Sequence, residues 1–231
     1  MKSLYLLIDF FTILVPFLFS FHPKLKFYKE WKPFFAANLI VLSIFIPWDI
    51  AFTQMGVWGF NPTYLCGIYI YNLPIEEILF FICIPYSCVF TYHCLKIFFK
   101  FNTNKSLFEN ISIFLIGLHV TIGLLNYDLW YTSVTYLSIA FVMYFVYFHK
   151  KYTWADSFLL IYMVLLIPFF IVNGILTGTG LESPVVWYNN SENLAIRIGT
   201  IPIEDISYGF EMVLINVIFY EKFKLNLVRN K

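Results

Sequence analysis

Hydrophobic positions in this chain come in long blocks, not in alternation with polar ones. Apolar runs cover about 3–21, 34–52, 73–95, 107–125, 129–148, 157–176 and 201–220. A helix crossing a bilayer needs about 20 such residues. The pattern therefore predicts an all-α integral membrane protein with seven transmembrane helices. The first run has only Lys2 before it and no small-residue cleavage site, so it reads as a retained span.

The polar segments between the runs give the predicted topology. Lys24, Lys26, Lys29 and Lys32 follow run one; Lys96, Lys100 and Lys105 follow run three. Lys150 and Lys151 follow run five, and Lys222, Lys224, Arg229 and Lys231 follow run seven. The other segments hold only Lys2 and Arg197. Basic loops stay in the cytoplasm, which predicts the N-terminus out and the C-terminus in. Asp49, Glu76, Glu77, Asp128, Glu182, Glu192, Glu204, Asp205 and Glu211 fall on the opposite, outer side. Glu182 and Glu192 read as solvated loop residues.

Composition sharpens this picture. The chain is 60% hydrophobic and only 13% charged, about half the charge of a soluble domain. A net charge of +1 gives no basic surface for nucleic acid. Four cysteines make no disulfide framework, and no glycine-rich phosphate loop or CxxC pair occurs. No cofactor or metal site is expected.

An internal repeat organises the chain. GVWGFNPTYLCGIYIYNLPIEE at 56–77 aligns without gaps on PVVWYNNSENLAIRIGTIPIED at 184–205, an offset of 128. The first three spans and the last three read as two parallel three-helix copies, residues 1–100 and 129–231. A connector helix at 101–128 joins them. Parallel copies are related by an axis along the membrane normal. Asp9 falls on Leu137 in this alignment and has no acidic counterpart.

Each copy starts its third helix with Pro and two consecutive acids, Glu76-Glu77 and Glu204-Asp205. Acids in a first turn complement the helix dipole, which is the plain reading of either pair alone. At matched positions among apolar neighbours, intramembrane acids mark a functional path. Glu204, Tyr208 and Glu211 sit at i, i+4 and i+7 on one face.

These residues resemble the membrane lycopene cyclase domain family. Its members occur as two small subunits in some bacteria, as fused chains elsewhere, and as the cyclase half of fungal bifunctional enzymes. The resemblance rests on Trp48-Asp49, Gly56-Val57-Trp58, Phe60-Asn61-Pro62 and Leu73-Pro74-Ile75-Glu76-Glu77 before Phe80-Phe81. It continues in Asn173-Gly174, Pro184-Val185-Val186, Tyr188-Asn189, Arg197, Ile201-Pro202-Ile203-Glu204-Asp205 and Tyr208-Gly209-Phe210-Glu211.

The resemblance implies a redox-neutral lycopene β-cyclase, an isomerase of the intramolecular-lyase type that needs no cofactor. An acid protonates a terminal double bond, the cation closes a ring, and a base removes a proton. γ-Carotene would form first and β-carotene second. Catalytic candidates are Glu76, Glu77, Glu204, Asp205 and Glu211. Glu204 or Glu76 is the expected donor and Glu211 or the partner carboxylate the expected acceptor, unless one carboxyl serves both roles in turn; Glu204→Gln is expected to abolish cyclisation. Substrate-binding candidates are Trp48, Asp49, Trp58, Phe80, Phe81, Asn173, Trp187, Tyr188, Arg197 and Tyr208. Aromatic faces tolerate a cation at about 0.5–2 kcal/mol each, although aromatic belts at the membrane interfaces use the same residues.

Expected partners are lycopene and membrane lipid, with homo-oligomerisation or association with other carotenoid enzymes left open. The expected location is a bacterial inner membrane. Because both acid pairs lie on one side, a polyene standing upright in the bilayer would offer them one end at a time. Other classes fit less well. A retinal protein needs a lysine in the last span, and 201–220 has none. A proton- or cation-coupled transporter remains the rival, together with a cyclase or hydratase for other carotenoids.

Overall fold

The computed structural model describes residues 2–229; Lys231, counted in the basic tail, lies outside the described residues. It has seven α-helices: α1 (Leu4–Phe19), α2 (Trp31–Met55), α3 (Ile75–Phe98), α4 (Lys105–Leu125), α5 (Trp130–Tyr144), α6 (Ala155–Leu176) and α7 (Glu204–Arg229). Each coincides with one apolar run. Among the described residues, five helices, α2 to α6, are long and apolar enough to cross a membrane, α5 together with the π-helical turn that continues it to His149. α1 has only 16 residues. α7 carries Glu204, Asp205, Glu211 and Glu221, and its middle from Phe210 to Ile218 is buried by protein. It packs on α2, α3, α5 and α6, so its apolar residues meet other side chains.

α2 ends on Gly56, whose φ of 73° is the left-handed conformation that glycine adopts without a Cβ penalty. The chain then forms β1 (Trp58–Phe60), β2 (Tyr69–Ile70) and β3 (Leu73–Pro74) before α3. β4 (Val186–Tyr188), β5 (Arg197–Ile198) and β6 (Ile201–Pro202) occupy the matching places before α7. β2 and β3 form a hairpin, as do β5 and β6.

β1 and β4 pair antiparallel, with Trp58 opposite Tyr188, Gly59 opposite Trp187 and Phe60 opposite Val186. The backbone bonds around the pair are reciprocal. Asn61 N–H donates to the Val185 carbonyl and Asn189 N–H to the Val57 carbonyl, at 2.8 and 2.9 Å. Each bond maps on the other at an offset of 128. The strands lie at the end where α1, α3, α5 and α7 begin, here the strand end.

Gly59 has no side chain because Trp187 covers it. A Cβ there would stand 2.3 Å from the indole. Gly59→Ala is expected to push the indole off the strand pair, at about 1–3 kcal/mol. A lower melting midpoint, with Trp187 fluorescence shifted, is the check.

Candidate active site

The paired acids divide their work. Glu76 Oε1 accepts the Cys66 N–H at 2.6 Å, and Glu204 Oε1 accepts the Leu194 N–H at 2.8 Å. These contacts again match at an offset of 128. Each first acid is fully buried and clamps the loop before its own helix. Thr132 on α5 adds a 2.7 Å bond to Glu204.

The second acid of each pair points the other way. Glu77 and Asp205 both line a cavity of about 700 Å³ walled by α1, α3, α6 and α7, a size typical of small-molecule sites. Glu77 accepts one hydrogen bond, from the Tyr5 hydroxyl at 2.6 Å. Asp205 accepts three: from Tyr131 on one oxygen, and from Asn173 at 2.6 Å and Tyr188 at 3.0 Å on the other. Burial and the facing Asp205 carboxylate hold the Tyr188 phenol well above its ordinary pKa, so it donates instead of ionising. Among the described residues, no ion pair reaches these acids; the two ion pairs, Lys96–Glu221 and Lys224–Glu30, lie elsewhere.

The remaining candidates fall into two groups. Trp58, Phe80, Asn173, Tyr188 and Tyr208 line the cavity. Trp48, Asp49, Phe81, Trp187, Arg197 and Glu211 do not. Asp49 is buried and takes the Trp58 indole N–H at 2.6 Å, so it orients a cavity wall. Trp48 stands 5.2 Å from the Tyr208 ring centroid and backs it. Phe81 is buried behind the cavity beside Phe45 and Val41.

Trp187 and Arg197 line a smaller hollow of about 300 Å³ next to the strand pair. The Arg197 guanidinium meets no acid; it donates to the Thr200 carbonyl and to Asn190. Glu211 accepts from Ser138 on α5 at 2.7 Å. The face expected of Glu204, Tyr208 and Glu211 thus delivers only Tyr208 to the cavity, because hydrogen bonds to Leu194 and Thr132 hold Glu204 and one to Ser138 holds Glu211.

Tyr5 and Tyr131 escaped the sequence reading. They perform one task, donating to the second acid of the two pairs, and lie 126 apart. The offset of 128 fails in the first helix of each copy. With 126, Asp9 falls on Thr135 instead of Leu137. Asp9 and Thr135 are both buried, and their side-chain oxygens lack hydrogen-bond partners. His119 on α4 bonds to Ser207 on α7 at 3.1 Å, an interhelical tie.

A helical fold suited to a membrane thus holds an apolar cavity with two carboxyl groups at one end. The family model described as lycopene cyclase matches residues 2–95 and 128–223. The chain belongs to the lycopene cyclase family. Over 141 residues it is 27% identical to a bifunctional lycopene cyclase/phytoene synthase of Aspergillus oryzae, covering 58% of this chain. The match spans 22% of that protein's length. No solved structure matches the chain. Membership of the family supports carotenoid cyclase activity.

Proposed function

We propose that the protein is a lycopene β-cyclase, an isomerase that closes the ends of lycopene into β-ionone rings. The observation that carries this reading is the placement of Glu77 and Asp205 on one apolar cavity. Glu77, buried and held by a single donor, is suited to deliver the proton to the terminal double bond. The cation so formed is attacked by the internal double bond, and the new carbon–carbon bond closes the ring. Asp205, steadied by three donors, is suited to remove the proton that restores the double bond. One proton enters and one leaves, so no oxidant or reductant is involved, and the proton taken by Asp205 passes back to Glu77 before the next turnover. Trp58, Phe80 and Tyr208 present aromatic walls to the cation.

The reading extends to the whole chain. Residues 1–100 and 129–231 are two parallel copies and 101–128 a connector, supported by the matched strands, hairpins and carboxylate clamps. All seven helices span the membrane, with the N-terminus and the strand end outside and the lysine-rich end in the cytoplasm. The host membrane is a bacterial inner membrane, which holds the lycopene. Association with a second copy or with other carotenoid enzymes belongs to the same picture.

Expression in a lycopene-accumulating bacterium tests the function. The pigment is expected to shift from red to orange-yellow, with γ- and β-carotene resolved by chromatography. Unchanged lycopene would remove the reading, and rings of another type would correct the product. A Tyr5→Phe variant, which loses the one donor to Glu77, is expected to slow ring closure about tenfold while Tyr131 still serves Asp205. Initial rates of monocyclic product measure this.

A further inference from the structure

The cavity has a shape as well as a chemistry. Along α3 its lining runs from Glu77 to Thr91, about 21 Å at 1.5 Å per residue. Along α1 it runs from Leu4 to Pro16, about 18 Å on the same rise. The two carboxyl groups occupy only the strand end of this slot. The far end stops where Tyr162 stands edge-on to Phe210, ring centroids 4.7 Å apart, above Phe158.

One long side is open. Leu7 and Phe11 on α1 and Ile171 on α6 line the slot, yet they are 41%, 64% and 62% exposed. In a membrane, apolar side chains exposed on a spanning helix meet lipid. The slot therefore opens sideways, between α1 and α6, into the hydrocarbon.

We infer that this gap is the mouth by which a polyene enters from the bilayer, and that the slot takes only part of the molecule, about two thirds of its length. The inference rests on the cyclase reading and adds to it a route and a stoichiometry. A C40 polyene is about as long as the hydrocarbon core is thick, ~30 Å, and exceeds the slot. The part bearing the reacting end lies in the slot, while the remainder leaves through the mouth into lipid. The second ring then requires release, reversal and a second visit.

The test uses full-length protein in lipid nanodiscs with lycopene, reading polyene binding by absorbance and products by chromatography. The double variant Leu7→Trp/Ile171→Trp narrows the mouth without touching a carboxyl group. Leu18→Trp and Leu39→Trp, on lipid-exposed side chains away from the slot, serve as controls and are expected to match the parent.

If entry falls about tenfold, the one-ring product made per unit time falls tenfold. Two separate visits make the two-ring product fall about a hundredfold, as the square. One- and two-ring products falling together would overturn the two-visit inference, and unchanged binding and products would overturn the mouth. Binding that the mouth variant weakens, with no rings formed even by the parent, would leave the slot standing and remove the cyclase reading instead.

Discussion

Glu77→Gln is expected to stop ring closure, lowering the rate by about a thousandfold, within the range that general acid catalysis supplies. The amide is isosteric and still accepts the Tyr5 hydroxyl, so polyene binding and the helical fold are expected to survive. Asp205→Asn is expected to show a loss of similar size, because an amide cannot take the proton from the closed ring. The contrast lies with the neighbouring acids. The resemblance put Glu204 or Glu76 forward as donor, with Glu204→Gln inactive. The structure points Glu204 at the Leu194 amide and Thr132 instead.

Glu204→Gln is now expected to keep most activity, since the amide oxygen can hold the loop. Glu204→Leu strands a buried N–H and is expected to cost about 1–3 kcal/mol of stability. Initial rates, polyene absorbance and thermal melts of the four variants separate the roles. A fully active Glu77→Gln would end the assignment.

Gly209→Leu is the second large effect. Gly209 lines the slot on α7, and a Cβ there would already stand 3.3 Å from the Tyr162 hydroxyl and 3.4 Å from Phe169. A leucine has nowhere to go except into the space the polyene uses. Binding and turnover are expected to fall together, by about a hundredfold. The overpacking itself should cost about 1–3 kcal/mol. Absorbance titration with lycopene checks it; normal binding would show that the substrate does not lie along α7. Gly209→Ala, a single added methyl, is expected to give an intermediate loss.

Much of the fold was legible because lipid and protein make the same demand on long apolar runs. All seven helices fall on the predicted runs, and the strand register about Gly59 and Trp187 follows the 128-residue repeat. What could not be read was which of two adjacent acids faces inward. Consecutive helical residues point about 100° apart, and both orientations were open until the hairpins were placed. The clamp on Cys66 and Leu194 decides it, and a backbone N–H leaves no trace in side-chain pattern. The tyrosine donors were hidden by a two-residue change of offset between the first helix and the rest of each copy. Trp48 and Phe81 look like pocket residues by type, but Tyr208 and Phe80 stand in front of them. Trp187 likewise serves as a cover over Gly59.

The pairing of β1 with β4 joins the early part of the chain to the late part without using the covalent connection between them. α2 and α3 also pack on α7, across the same divide. A break in the polypeptide between Phe99 and Asn104 would sever none of these contacts. Two separately translated pieces, 1–100 and 101–231, would meet with their strands, helix faces and facing carboxyl groups already complementary. Co-expressed as two pieces, the protein is expected to assemble the same cavity.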